Sequence, residues 1–133
     1  MEMQKSIESI LKSDHFKNKK DWLRDLFEEV ANIVINEYYD KNNDVKIKAK
    51  KNYIAFYKKS NGFERIFLSI RITMNNLHAS LKIDNPSIRN QFGLEKKSKK
   101  NRRDEGDFDF NTITEFKDKL PAIKYSYANC DEK

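Results

Sequence analysis

A single cysteine, Cys130, stands among the 133 residues, which excludes an internal disulfide and a cysteine-based zinc site. Three glycines and two prolines are too few for a fibrous or loop-dominated protein. Glycines this scattered also build no phosphate-cradling loop. No apolar run approaches the roughly 20 residues that a membrane span requires. The opening stretch, MEMQKSIESILKSD, carries no apolar segment of the kind that heads a secreted chain. These absences lead us to expect a reduced, cytoplasmic setting, with no membrane partner and no cofactor.

What the chain has is aromatic bulk and charge. Nine Phe, six Tyr and one Trp supply a core although only 38% of residues are hydrophobic and 36% are charged. The length fits one domain over residues 1–133, enough to bury roughly 65–70% of the surface of the unfolded chain. The net charge of +6 is local. Six of the 27 basic residues, Lys96, Lys97, Lys99, Lys100, Arg102 and Arg103, fall in the stretch EKKSKKNRRDE at 95–105, and the other 21 match the 21 acidic residues. The abundance of Lys, Asn, Ile and Phe is the usage of an A/T-rich genome, so a lysine run weighs less than an arginine run. Two arginines soften that discount.

Periodicity then orders the chain. Met3, Ile7, Ile10 and Leu11 have helical spacing and predict a short first helix. Residues 21–39 form the clearest helix, with Trp22, Leu23, Leu26, Phe27, Val30, Ala31, Val34 and Tyr38 on one wide stripe. That stripe reads as core rather than as a partner-docking face. Residues 40–44 end it with turn formers. The period falls to two from Val45 onwards. Four stretches alternate, and Ser60-Asn61-Gly62 marks a hairpin because Asn-Gly tolerates positive φ. A meander of about four antiparallel strands follows to Ile83, with one face buried. Beyond Asp84-Asn85-Pro86 lies a long basic loop at about 85–107, holding at most one helical turn. Loops of that length are functional or disordered. Residues 107–111 read as a last short strand. Thr112 and Glu115 form a capping box that opens a final helix. Its stripe is Phe116, Leu120, Ile123 and Tyr127, with Pro121 kinking or breaking it. The fold class is therefore α+β: an antiparallel sheet of about five strands packed on one face by an N-terminal and a C-terminal helix.

Strand alternation assigns the faces. With Ile54, Phe56, Ile66, Leu68, Ile70, Leu81 and Ile83 turned to the helices, Lys46, Lys48, Lys50, Tyr53, Tyr57, Arg65, Phe67, Arg71, His78 and Lys82 point outward. Aromatics set among cations on an open sheet suit single-stranded nucleic acid, which stacks bases on rings and rests phosphates on cations. The bland alternative is packing against a helix or a second subunit. For the basic loop, several mobile cations can neutralise adjacent phosphates and release counterions; the alternative is a solvated loop. The candidate nucleic-acid-binding residues are the six loop cations with Lys46, Lys48, Tyr53, Tyr57, Arg65, Phe67 and Arg71.

Catalytic patterns are weak. Glu115-Phe-Lys117 and Glu95-Lys-Lys97 spell the ending of a restriction-type nuclease motif, but one lies in a helix cap and the other in a loop, away from the paired strands that metal binding needs. Asp107 and Asp109 share one face of a strand and read as hydrating an exposed edge rather than holding a metal. His15 and His78 read as surface histidines, and Cys130 as incidental. No catalytic and no metal residue is assigned.

Several words in the chain resemble a bacterial and archaeal family, the domain of unknown function numbered 5655, often labelled a predicted transport protein. The resemblance rests on Tyr53-Ile-Ala-Phe-Tyr57, Gly62-Phe-Glu-Arg-Ile66, the alternating strand from Leu77 to Ile83, Gly106-Asp-Phe-Asp-Phe110 and Ser126-Tyr127, over roughly residues 22–127. It implies a domain found alone or fused beside nucleases of restriction or nucleic-acid-processing type, with no established catalytic residues. The reading that follows is a small non-enzymatic nucleic-acid-binding or nuclease-accessory module with DNA or RNA as partner. The competing reading is a protein-interaction or homodimerisation module.

Overall fold

The computed structural model describes residues 2–38, 45–60, 62–95 and 105–130. The elements run α1 (Glu2–Leu11), a 3-10 turn (Asp14–Phe16), α2 (Asp21–Tyr38), β1 (Val45–Ala49), β2 (Ile54–Ser60), β3 (Phe63–Ile72), β4 (Leu77–Lys82), α3 (Pro86–Gln91), β5 (Glu105–Phe110), α4 (Ile113–Asp118) and α5 (Leu120–Asn129). The strands form one antiparallel sheet in the order β1-β2-β3-β4-β5. This is the expected α+β architecture, and its meander needs only short hairpin connections between β2, β3 and β4. Gly62 takes φ +82 in the β2–β3 hairpin, the left-handed conformation that its lack of a Cβ permits. Among the described residues, no helix is long and apolar enough to cross a membrane.

The core lies between the helices and one face of the sheet. In α2 the three- and four-residue spacing delivers Leu23, Leu26, Phe27, Val30, Ala31 and Val34 to it, all buried, while Trp22 at the start of the stripe is left exposed. An aromatic chain then crosses the core from Phe16 to Phe27 (5.5 Å between ring centroids), Phe56 (6.1 Å), Phe67 (6.5 Å) and Tyr127 (5.0 Å). Tyr38 stacks on Tyr127 at 4.3 Å. Burial, with Glu37 and Tyr127 close by, pushes the Tyr38 phenol up to about 12, so it stays protonated. A second cluster, Phe108, Phe110 and Phe116, joins β5 to α4.

One irregularity alters the face assignment. The β2–β3 register runs Phe56 opposite Leu68 and then Tyr57 opposite Ile66, which leaves Phe67 as an extra residue in a β-bulge. An extra residue reverses the alternation beyond it. Phe67 and Leu68 therefore both enter the core, and Ile66 moves to the outer face beside Tyr57. The expectation that Phe67 points outward is wrong, as is the inward placement of Ile66. Arg65 shares the parity of Phe67 and so lies on the helix-side face, opposite Lys58. The Lys58 ammonium sits 4.6 Å from the Tyr127 ring centroid and donates to the Tyr127 carbonyl.

Ser126 of α5 completes the bulge. Continuing the ladder past the Leu68–Leu81 pair would set Phe67 against Lys82. Instead the fully buried Ser126 hydroxyl stands between them, accepting from the Lys82 N–H (2.9 Å) and donating to the Phe67 carbonyl (2.6 Å). Ser126→Ala would leave both backbone groups without this partner. We expect a loss of about 1–3 kcal/mol, read as a lower urea midpoint at unchanged slope. A variant as stable as the native chain would show that the hydroxyl is dispensable.

The last helix is broken rather than kinked. The Thr112–Glu115 capping box opens α4 as expected, with Thr112 Oγ1 accepting from the Glu115 N–H and Glu115 Oε1 accepting from the Thr112 N–H. The helix stops at Asp118, and Pro121 sits in the first turn of α5, where its missing N–H is no loss. The long connection, expected to hold at most one helical turn, contains the six-residue helix α3. Asn85 caps α3 through its side chain, and Glu95 makes an isolated antiparallel bridge with Asp107. Gly106 faces Leu94 there so closely that a Cβ would lie 2.7 Å from Leu94 Cδ1, so the position requires a glycine-sized residue unless Leu94 moves.

Candidate nucleic-acid interface

The sheet face turned away from the helices carries three cross-strand rows. Lys46, Tyr57 and Ile66 make the first. Lys48, Ala55, Ser69, Ser80 and Asp107 make the second. Arg71, His78 and Asp109 lie in the third, and extending the register places Lys50 and Tyr53 at its other end, where the Lys50 N–H donates to the Tyr53 carbonyl. The face is thus basic and aromatic towards β1 and acidic towards β5.

On the basic side the charges are already partly matched. Glu64 reaches across β2 to both lysines of β1, with Oε1 2.9 Å from Lys48 Nζ and Oε2 3.3 Å from Lys46 Nζ. The hydrogen bonds from Lys48 and then Lys46 hold the Glu64 carboxyl below the usual carboxylate range, and the bond to Glu64 raises the Lys48 ammonium in turn. A depressed carboxyl contributes its stabilisation above its ordinary pKa and loses it only as pH falls through the lowered folded value. The three-way pair is therefore intact at neutral pH and opens only in acid below the ordinary carboxylate range.

Tyr57 lies beneath this arch. The Lys48 and Lys50 ammonium groups sit 5.1 and 5.7 Å from its ring centroid. Lysine stems draped over a ring cover it while their heads stay in water, and Tyr57 is 9% exposed. Pointing outward, as expected, has not left its ring face open. Tyr53, half-buried, remains the more accessible ring on this side. Phe67 offers nothing to a base, because it is buried in the core.

The acidic side departs from the sequence reading in another way. His78 is not a plain surface histidine: its side chain is 12% exposed, with Nδ1 2.6 Å from Asp109 Oδ1 and Nε2 3.9 Å from Asp107 Oδ2. Asp107, expected to hydrate an edge, is 1% exposed. Among the described residues, no group of three or more His, Cys, Asp and Glu side chains is arranged to hold a metal ion.

The six cations at Lys96, Lys97, Lys99, Lys100, Arg102 and Arg103 lie outside the described residues. What is described is where the chain leaves and returns. Glu95 is bridged to Asp107, and β5 begins at Glu105, so both ends of the stretch are tied to the β5 edge. Lys46 and Lys48 lie at the opposite edge, four strand spacings or about 19 Å away. The structure thus brings Lys46, Lys48 and Tyr57 together, sets Tyr53 beside Arg71, and separates Arg65 and Phe67 from them.

Comparison with family models, with curated proteins and with solved structures finds no match.

Proposed function

We propose that the chain is a small, non-enzymatic nucleic-acid-binding or nuclease-accessory module that takes single strands on its outer sheet face. The observation that carries this reading is the row Lys50–Tyr53–Arg71, which alternates cation, ring and cation next to the Lys46, Lys48 and Tyr57 group. A strand laid along it has a ring for a base and a cation on either side for phosphates. The resemblance to the family of the domain of unknown function numbered 5655, with its nuclease fusions, agrees with this reading. The basic stretch at 96–103, which joins Glu95 to the start of β5, adds six positive charges to the chain.

The test is fluorescence anisotropy with labelled single- and double-stranded DNA and RNA across 50–300 mM salt. Binding that weakens steeply with salt supports the reading. An absence of binding at the lowest salt, with a dimer that persists in high salt, would replace it by the interaction-module reading.

The arch over Tyr57 yields a sharper expectation. Glu64 is an internal carboxylate in the place where a phosphate would sit, so Glu64→Gln should free both lysines and uncover the ring. We expect tighter binding of single strands and a salt slope steeper by about 0.7 for each further phosphate contact made. Unchanged affinity and slope would remove Lys46 and Lys48 from the interface.

A further inference from the structure

A cleft opens beside the third row of the interface, at the end of the sheet where Lys50 and Arg71 lie. Its walls are the segment around the 3-10 turn (Asp14, His15 and Lys19) and the β1–β2 connection (Lys50, Lys51), and its floor is the end of β3 at Arg71. It is an open cleft of about 710 Å3, a volume within the range of pockets that hold small ligands. The two walls are fastened together: His15 Nε2 donates to the Lys50 carbonyl at 2.6 Å, since a carbonyl can only accept. The concavity is therefore built into the fold.

Its charge is one-sided. Lys19, Lys50, Lys51 and Arg71 face a single carboxylate, Asp14, an excess of three positive charges over the ten residues of the lining. Elsewhere on this side the lysines have found an acid, as Lys46 and Lys48 have in Glu64. Among the described residues, no ion pair engages Lys19, Lys50, Lys51 or Arg71. Gathering like charges in one concavity is unfavourable unless an anion shares it, and a concave basic surface focuses the field that draws one in.

We infer that this cleft is a binding site for a phosphate monoester, the terminal phosphate of a nucleic-acid strand lying on the outer face. The inference rests on the nucleic-acid reading above and extends it. A monoester carries close to two negative charges at neutral pH, whereas each internal phosphate carries one. Only the former comes near the local excess of three. Arg71 supplies a planar fork suited to two phosphate oxygens, and Lys19 and Lys51 add point charges from the cleft walls, with Lys50 reaching from the rim towards Tyr57. Lys50 and Arg71 belong both to the cleft and to the Lys50–Tyr53–Arg71 row, so the cleft borders the row and lies within reach of the end of a strand seated there.

The experiment compares short single strands that differ only in a phosphate or a hydroxyl at the unlabelled end, with both 5′ and 3′ versions, and uses inorganic phosphate as competitor. A phosphate-ended strand should bind about tenfold or more tightly, as one or more charge-assisted bonds imply. Inorganic phosphate should erase that preference, and so should the exposed-residue variant Lys51→Gln/Arg71→Gln. Salt-sensitive binding with equal affinity for both ends overturns this inference while leaving the proposed function standing. Variant-sensitive binding of phosphate or a mononucleotide, with no binding of strands, keeps the phosphate site and overturns the nucleic-acid reading. No binding of any probe removes both. The comparison of strand ends uses the native chain, so it decides the matter even where the variant misfolds.

Discussion

Replacing Phe67 by alanine is expected to lower the stability of the chain by about 3–5 kcal/mol, the range for deleting a fully buried phenylalanine ring. The ring is buried at the crossing of the core, meeting Tyr127 edge-on at 5.0 Å, Tyr38 at 5.6 Å and Phe56 at 6.5 Å. The void left behind would sit under both α2 and α5, whose backbones are fixed by their other contacts, so little relaxation can fill it. Native domains are stable by only about 5–15 kcal/mol, and a loss of this size is a large part of the total. Phe67→Leu keeps an apolar side chain in the space and should recover most of the loss. Phe63→Ala, at a ring that is 63% exposed only four residues earlier on the same strand, should stay within about 0.5 kcal/mol. Urea unfolding of the three variants measures the contrast directly. If Phe67→Ala were as mild as Phe63→Ala, the bulge would be absent and Phe67 would stand on the outer face after all.

That contrast marks the limit of what the sequence disclosed. The α2 stripe, the β2–β3 hairpin, the alternating strands and the Thr112–Glu115 box were all legible, because each is a local pattern with a local physical cause. The bulge was not, because the alternation was carried unbroken through β3. A signal for it was present in Ile66-Phe67-Leu68, three apolar residues in succession where a half-buried strand allows every second one. One extra residue there reversed the parity and removed Arg65 and Phe67 from the proposed interface. The arch over Tyr57 joins Lys46, Lys48 and Glu64 across three strands, and the burial it produces depends on where long side chains lie rather than on which face their Cβ atoms share. The cleft is more remote still from local pattern. Its walls come from residues 13–19, 49–52 and 71–72, and only the packed fold sets them together. Asp107 and His78 were misread for a related reason: strand position gave their common face but not their enclosure.

The largest functional effect is expected from changing Lys96, Lys97, Lys99, Lys100, Arg102 and Arg103 together to serine. The substitution removes six positive charges and takes the net charge from +6 to zero. If each of the six meets a phosphate of a single strand, the slope of log affinity against log salt becomes shallower by about 4, at about 0.7 per contact. Binding at physiological salt then falls by about a thousandfold, while the remaining affinity is that of the outer face alone. The same six positions all changed to the other basic residue, lysine to arginine and arginine to lysine, keep the charge and should keep most of the binding, because counterion release counts charge rather than side-chain shape. Stability should hardly move, since the described chain on either side stays tied to the sheet at Glu95 and Glu105 through backbone pairing that the substitutions leave in place. A serine variant with the native slope would assign all phosphate contacts to Lys50, Arg71 and their neighbours on the outer sheet face. A native chain that binds no strand in 50 mM salt, paired with a variant that behaves alike, would make the stretch a solvated loop. The exposed Phe63, Met74 and Trp22 would then be the surface on which to seek a protein partner.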